Sequence, residues 1–62
     1  MKLPDIKEVK RKDQARQLAI DWQNWQSDQS LSFGEIARYT EYFAKLAVRF
    51  HLKLEFKENG II

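Results

Sequence analysis

Residues 31–36 read Leu31-Ser32-Phe33-Gly34-Glu35-Ile36, a serine followed three positions later by a glutamate, with an apolar residue on either flank. The serine oxygen can accept the Glu35 amide while the Glu35 carboxylate reaches back to the serine amide, and Leu31 and Ile36 occupy the two positions of a hydrophobic staple. A helix is therefore expected to start at Phe33. Downstream, Ile36, Tyr39, Phe43, Leu46 and Phe50 recur three or four residues apart, which gathers them on one helical face. Arg38, Glu41, Lys45 and Arg49 form the opposite polar face, with Glu41 and Lys45 spaced to pair. The helix should run to Phe50 or His51.

Upstream, Ala15, Leu18, Ala19, Trp22 and Trp25 repeat the same helical spacing, and Ser27 to Ser32 break it with short polar side chains, which places a loop at Ser27 to Leu31. The loop is short, so the two helices are expected to be antiparallel neighbours whose stripes face each other. The expected pairs are Trp25 with Ile36, Trp22 with Tyr39, Leu18 with Phe43, and Ala15 with Leu46. Asp13 is the candidate N-cap of the first helix; Asp5 with Glu8 offers a second start, as early as Pro4. Leu52 to Lys57 alternates as a strand would, but it lacks β-branched residues and a partner strand, so a short helix is expected. Gly60 then serves as the left-handed stop, with Ile61 touching Phe56. The fold expected is all-α: an antiparallel hairpin of about 13–28 and 33–50, plus a C-terminal helix of about 53–58. The whole chain forms one domain, with residues 1–6 as a flexible lead.

Composition sets outer bounds. The chain has 62 residues, of which 44% are hydrophobic and 13% aromatic, too apolar for a disordered tail. A chain this short buries a small core and commonly gains stability through helix packing or self-association, since it has no cysteine for a disulfide. The N-terminal residues lead into no apolar signal segment, and no stretch approaches the roughly 18 apolar residues that cross a bilayer. A cytoplasmic location without membrane contact is expected. The net charge of +2 is uneven, because residues 1–16 carry six basic and three acidic groups.

Catalytic chemistry finds little purchase. His51 is the single histidine, and its place at a helix end suits a cap or a dipole partner better than a general base. Carboxylates such as Asp21 with Asp28, or Glu55 with Glu58, are too sparse for calcium, and no Gly-rich phosphate loop is present. No catalytic residue, metal site, cofactor or small-molecule substrate is inferred. Two tryptophans three apart, Trp22 and Trp25, could form an aromatic patch for a peptide or a base, but their place on the helical stripe assigns them first to the hairpin core. Trp25, nearer the loop, is the one left for partial exposure.

Two resemblances add to this reading. LSFGEIARY, residues 31–39, resembles the first helix of some helix-turn-helix and winged-helix DNA-binding units, including a segment of alkyltransferase-like proteins. In those units a tight turn and a recognition helix follow promptly, whereas here one helical pattern continues to Phe50, so the likeness reflects shared cap chemistry. WQNWQSDQSLSFGEIA, residues 22–37, with the closing FKENGII, residues 56–62, resembles a group of short uncharacterised bacterial proteins associated with phages or other mobile elements. That resemblance implies a bacterial or phage origin and carries no activity.

The functional expectation rests on apolar residues outside the hairpin seam. Ile20, Trp25, Tyr42, Val48, Ile61 and Ile62 are the candidate protein interface, and Ile6 and Val9 add to the same surplus. A non-enzymatic protein-interaction module is expected, forming a homo-oligomer or part of a larger assembly. The alternative is a nucleic-acid accessory protein whose Lys7, Lys10, Arg11, Lys12 and Arg16 neutralise phosphates without reading bases.

Overall fold

The Ser32 cap closes from both sides. The Glu35 amide donates to Ser32 Oγ at 3.2 Å, and the Ser32 amide donates to Glu35 Oε1 at 3.3 Å. The computed structural model describes residues 1–62, and in it this cap opens α2, Phe33–Phe50. The helix before it, α1, spans Lys12–Gln26, and α3 spans Lys53–Glu58; a single 3-10 turn, Ile6–Glu8, precedes them and there is no strand. The all-helical architecture matches the expectation, including α2 and α3 at the expected bounds. The first helix stops at Gln26, before the expected 28, because the amides of Asp28 and Gln29 turn tightly onto the carbonyls of Trp25 and Gln26.

The hairpin seam is aromatic. Trp22 stacks on Tyr39 with ring centroids 4.2 Å apart, as expected, and also meets Phe43 at 6.2 Å. Its indole thus spans two positions of α2, and Leu18, expected opposite Phe43, is only half-buried. Trp25 meets Tyr39 at 5.8 Å, while Ile36, its expected partner, is left exposed. Ala15 and Leu46 are both fully buried in the one core.

Both later helix ends use the same device. Gly60, with φ 72°, follows α3, and the Ile61 amide returns to the Phe56 carbonyl at 2.8 Å. This is the stop expected at Gly60, and it buries Ile61. His51, with φ 57°, is the one non-glycine residue in the left-handed region, and there the Leu52 amide reaches the Ala47 carbonyl at 2.9 Å. Leu52 is thereby drawn into the core, where it turns the chain from α2 into α3.

The N-terminal segment departs from expectation. Asp13 does not cap α1; the residue at that position is Arg11, whose side chain makes no cap bond, and Asp13 sits inside the first turn with its carboxylate accepting the Gln14 amide. Asp5 does act as a cap, but only for the 3-10 turn, because Val9 and Arg11 are extended and separate that turn from α1. Residues 1–9, expected to begin with a flexible lead, instead form a strap against α2. The Tyr39 hydroxyl donates to the Met1 carbonyl at 3.0 Å and the Tyr42 hydroxyl to the Pro4 carbonyl at 2.7 Å. Leu3 and Ile6 pack against the core and Val9 is fully buried within it. Their spacing of three explains this, since it turns one apolar edge of the strap toward the hairpin.

Ser32→Ala removes the side-chain acceptor of the Glu35 amide and leaves only the backbone arm of the cap; it should lower stability by about 1 kcal/mol, read as a fall in Tm of about 4–8 °C. His51→Gly relieves the left-handed strain and should raise stability by about 0.5–1 kcal/mol. Thermal circular dichroism checks both signs.

Candidate protein-interaction surface

The six residues expected at an interface fall into two groups. Ile20 is 48% exposed and Val48 68% exposed, so both are open to a partner. Trp25, Tyr42 and Ile62 are half-buried against the core, and Ile61 is only 6% exposed. Ile61 is therefore a core residue, a correction enforced by the turn at Gly60. Tyr42 is committed to the strap; burial, then the nearby charges of Asp5 and Glu8, push its phenol above the ordinary value and keep it a donor. The surplus of apolar side chains is smaller than expected, because Val9 and Ile61 are absorbed by the core.

Two exposed apolar residues take the place of those withdrawn. Phe33 is 88% exposed at the start of α2, and Leu54 is 72% exposed on α3. Phe33 precedes the buried stripe and lies inside the Ser32–Glu35 cap, so the stripe's spacing does not mark it. Its signal is the separate ladder Phe33, Ala37, Ala44, Val48, which lies off that stripe.

Ile20 borders a shallow groove of about 190 Å³ between α1 and α3, floored by Ala19, Phe56 and Ile61. Its rim is fixed by polar contacts. Arg16 grips Glu55 with two parallel bonds, Nε to Oε2 at 2.8 Å and Nη2 to Oε1 at 2.9 Å, and Gln23 Nε2 donates to the Asn59 carbonyl. A second hollow of about 320 Å³ lies beside the strap, between Leu3, Arg38, Tyr39 and Tyr42.

The basic candidates are likewise divided. Lys7, Lys10, Arg11 and Lys12 are exposed around the end of the strap, and Arg11 Nε lies 3.5 Å from Asp13. Arg16 is engaged by Glu55 and is not free for a phosphate. No group of three or more His, Asp or Glu side chains is placed to hold a metal ion. No helix is long and apolar enough to cross a membrane.

The hydrogen bonds from Arg16 hold the Glu55 carboxyl below its ordinary value of 4.5, against a smaller opposing effect of desolvation. Glu55 therefore contributes stability at neutral pH, and that contribution is lost as pH falls below the ordinary value toward the lowered one. Thermal midpoints measured across this acid range should drop more for the native chain than for Glu55→Gln; equal slopes would refute the linkage. No protein-family model, curated protein or solved structure matches the chain.

Proposed function

We propose that the chain is a non-enzymatic protein-interaction module that associates with itself through apolar surface, in a bacterial or phage setting. The observation that carries this reading is that Ile20, Phe33, Ile36, Val48 and Leu54 remain exposed in a chain that buries only ten residues. Single exposed apolar side chains are ordinary. Five large ones on so small a surface favour partners over a solitary existence. The groove and the hollow offer shape, but the side chains around them hold one another in place and none is set up as a nucleophile beside a base.

A second reading is favoured by Lys7, Lys10, Arg11 and Lys12, which are exposed and lie within six residues of one another in the sequence. Such a cluster suits contact with a phosphate backbone. Light scattering coupled to size exclusion at several concentrations discriminates the readings. The module should gain mass with concentration, whereas a strict monomer would contradict it. Duplex DNA binding that weakens steeply with salt and disappears when Lys10, Arg11 and Lys12 all become alanine would favour the second reading.

A further inference from the structure

The hollow beside the strap, of about 320 Å³, is walled by Leu3, Tyr39 and Tyr42, with Glu35 and Arg38 at its edge. Its polar side chains are committed to other groups, with one exception. The Tyr39 hydroxyl donates to the Met1 carbonyl and accepts from the Met1 nitrogen, and the Tyr42 hydroxyl donates to the Pro4 carbonyl. Glu35 Oε1 accepts the Ser32 amide at 3.3 Å and the Ser32 hydroxyl at 3.0 Å, so its carboxylate turns back over the helix start. Arg38 is the exception. A carboxylate stands three positions to either side of it, the spacing of helix neighbours, yet Glu35 is held by Ser32 and Glu41 pairs with Lys45 at 3.4 Å. No carboxylate lies within 4.0 Å of the Arg38 guanidinium.

We propose that this hollow binds a small monocarboxylic acid with an aromatic or branched apolar body, its carboxylate on the Arg38 guanidinium and its body against Leu3, Tyr39 and Tyr42. Small-molecule sites are mostly apolar hollows with a few placed polar groups, and their volumes begin at about 300 Å³. The guanidinium fork suits a carboxylate, which it takes through two parallel hydrogen bonds. The strap prepares the walls: Leu3 belongs to it, and its carbonyls hold the Tyr39 and Tyr42 hydroxyls in place. A site fixed before binding loses less freedom on binding.

Charge limits the ligand to one anionic group. Asp5 and Glu8 act on the Tyr42 phenol from the strap, so the Tyr42 end of the hollow disfavours a second anion. A phosphate dianion would exceed the single positive charge at Arg38. No nucleophile or base faces the hollow, so the acid is a ligand and not a substrate. The site is independent of self-association and stands or falls without it.

Heteronuclear NMR of the full chain, titrated with phenylacetate and separately with isovalerate, tests the proposal. Saturable shifts are expected at the Arg38 Nε–H, the Leu3 methyls and the Tyr39 and Tyr42 rings. Phenylacetamide keeps the shape and lacks the charge, and it should bind at least about tenfold more weakly than phenylacetate, the loss of a charge-assisted pair. Arg38→Gln should weaken phenylacetate by a similar factor with the circular dichroism unchanged, and Arg38→Lys should fall between, since an ammonium supplies charge without the fork. The dianion p-phenylenediacetate should bind more weakly than phenylacetate. Phenylacetamide binding as well as phenylacetate, or phenylacetate binding that survives Arg38→Gln, would overturn the anchor. Shifts that stay linear to about 20 mM for both acids would overturn the site itself.

Discussion

Phe43 has no exposed surface, and its ring meets Trp22 of α1 and Phe56 of α3, each at 6.2 Å, and Tyr42 edge-on at 5.2 Å. Through Trp22 the cluster continues to Tyr39 and Trp25. Every other element is organised by contact with this aromatic group. Offset and edge-on aromatic contacts contribute beyond the area they bury, which matters in a chain with so few buried residues. The strap closes one side with Val9 and α3 closes another with Phe56 and Ile61. The polar tips are used as well: the Tyr39 and Tyr42 hydroxyls satisfy strap carbonyls that extended backbone leaves unpaired. No buried side-chain nitrogen or oxygen is without a partner.

This arrangement decides where function can reside. Because the aromatic cluster takes the inner face of α2, the opposite face is polar, with Arg38, Glu41, Lys45 and Arg49 exposed, and Phe33, Ala37 and Val48 are left exposed between the two faces. The groove at Ile20 has the reverse character. It is bounded by Arg16 bound to Glu55 and Gln23 bound to Asn59, contacts that spend the polar groups on fixing α3 in place. Exposed ion pairs of this kind add little stability, but they set the angle at which a six-residue helix docks.

Local features were legible in the sequence wherever a short pattern settles the geometry unaided. The Ser32 cap, the Gly60 stop and the facing of Trp22 and Tyr39 each follow from spacing and side-chain chemistry over a few residues. The start of α1 was not legible, because Asp5 and Asp13 satisfy the same local rule and the choice is made by the strap, whose Leu3, Ile6 and Val9 are seated by contacts with residues far along the chain. Ile61 carried two incompatible expectations, a turn contact with Phe56 and an exposed interface position. The turn prevailed because closing it buries the side chain. Phe33 was hidden by its cap neighbours, although its distance from Ala37, Ala44 and Val48 marks a second face.

The central claim is that one aromatic cluster makes strap, hairpin and α3 a single cooperative unit, and native-state hydrogen exchange tests it most directly. The amides of Trp22 in α1, Leu46 in α2 and Ile61 after α3, the last bonded to the Phe56 carbonyl, should open with one shared free energy equal to that of global unfolding. Ile61 exchanging at the rate of an unstructured amide while Trp22 and Leu46 stay protected would contradict the account, because α3 would then be an appendage and not part of the core.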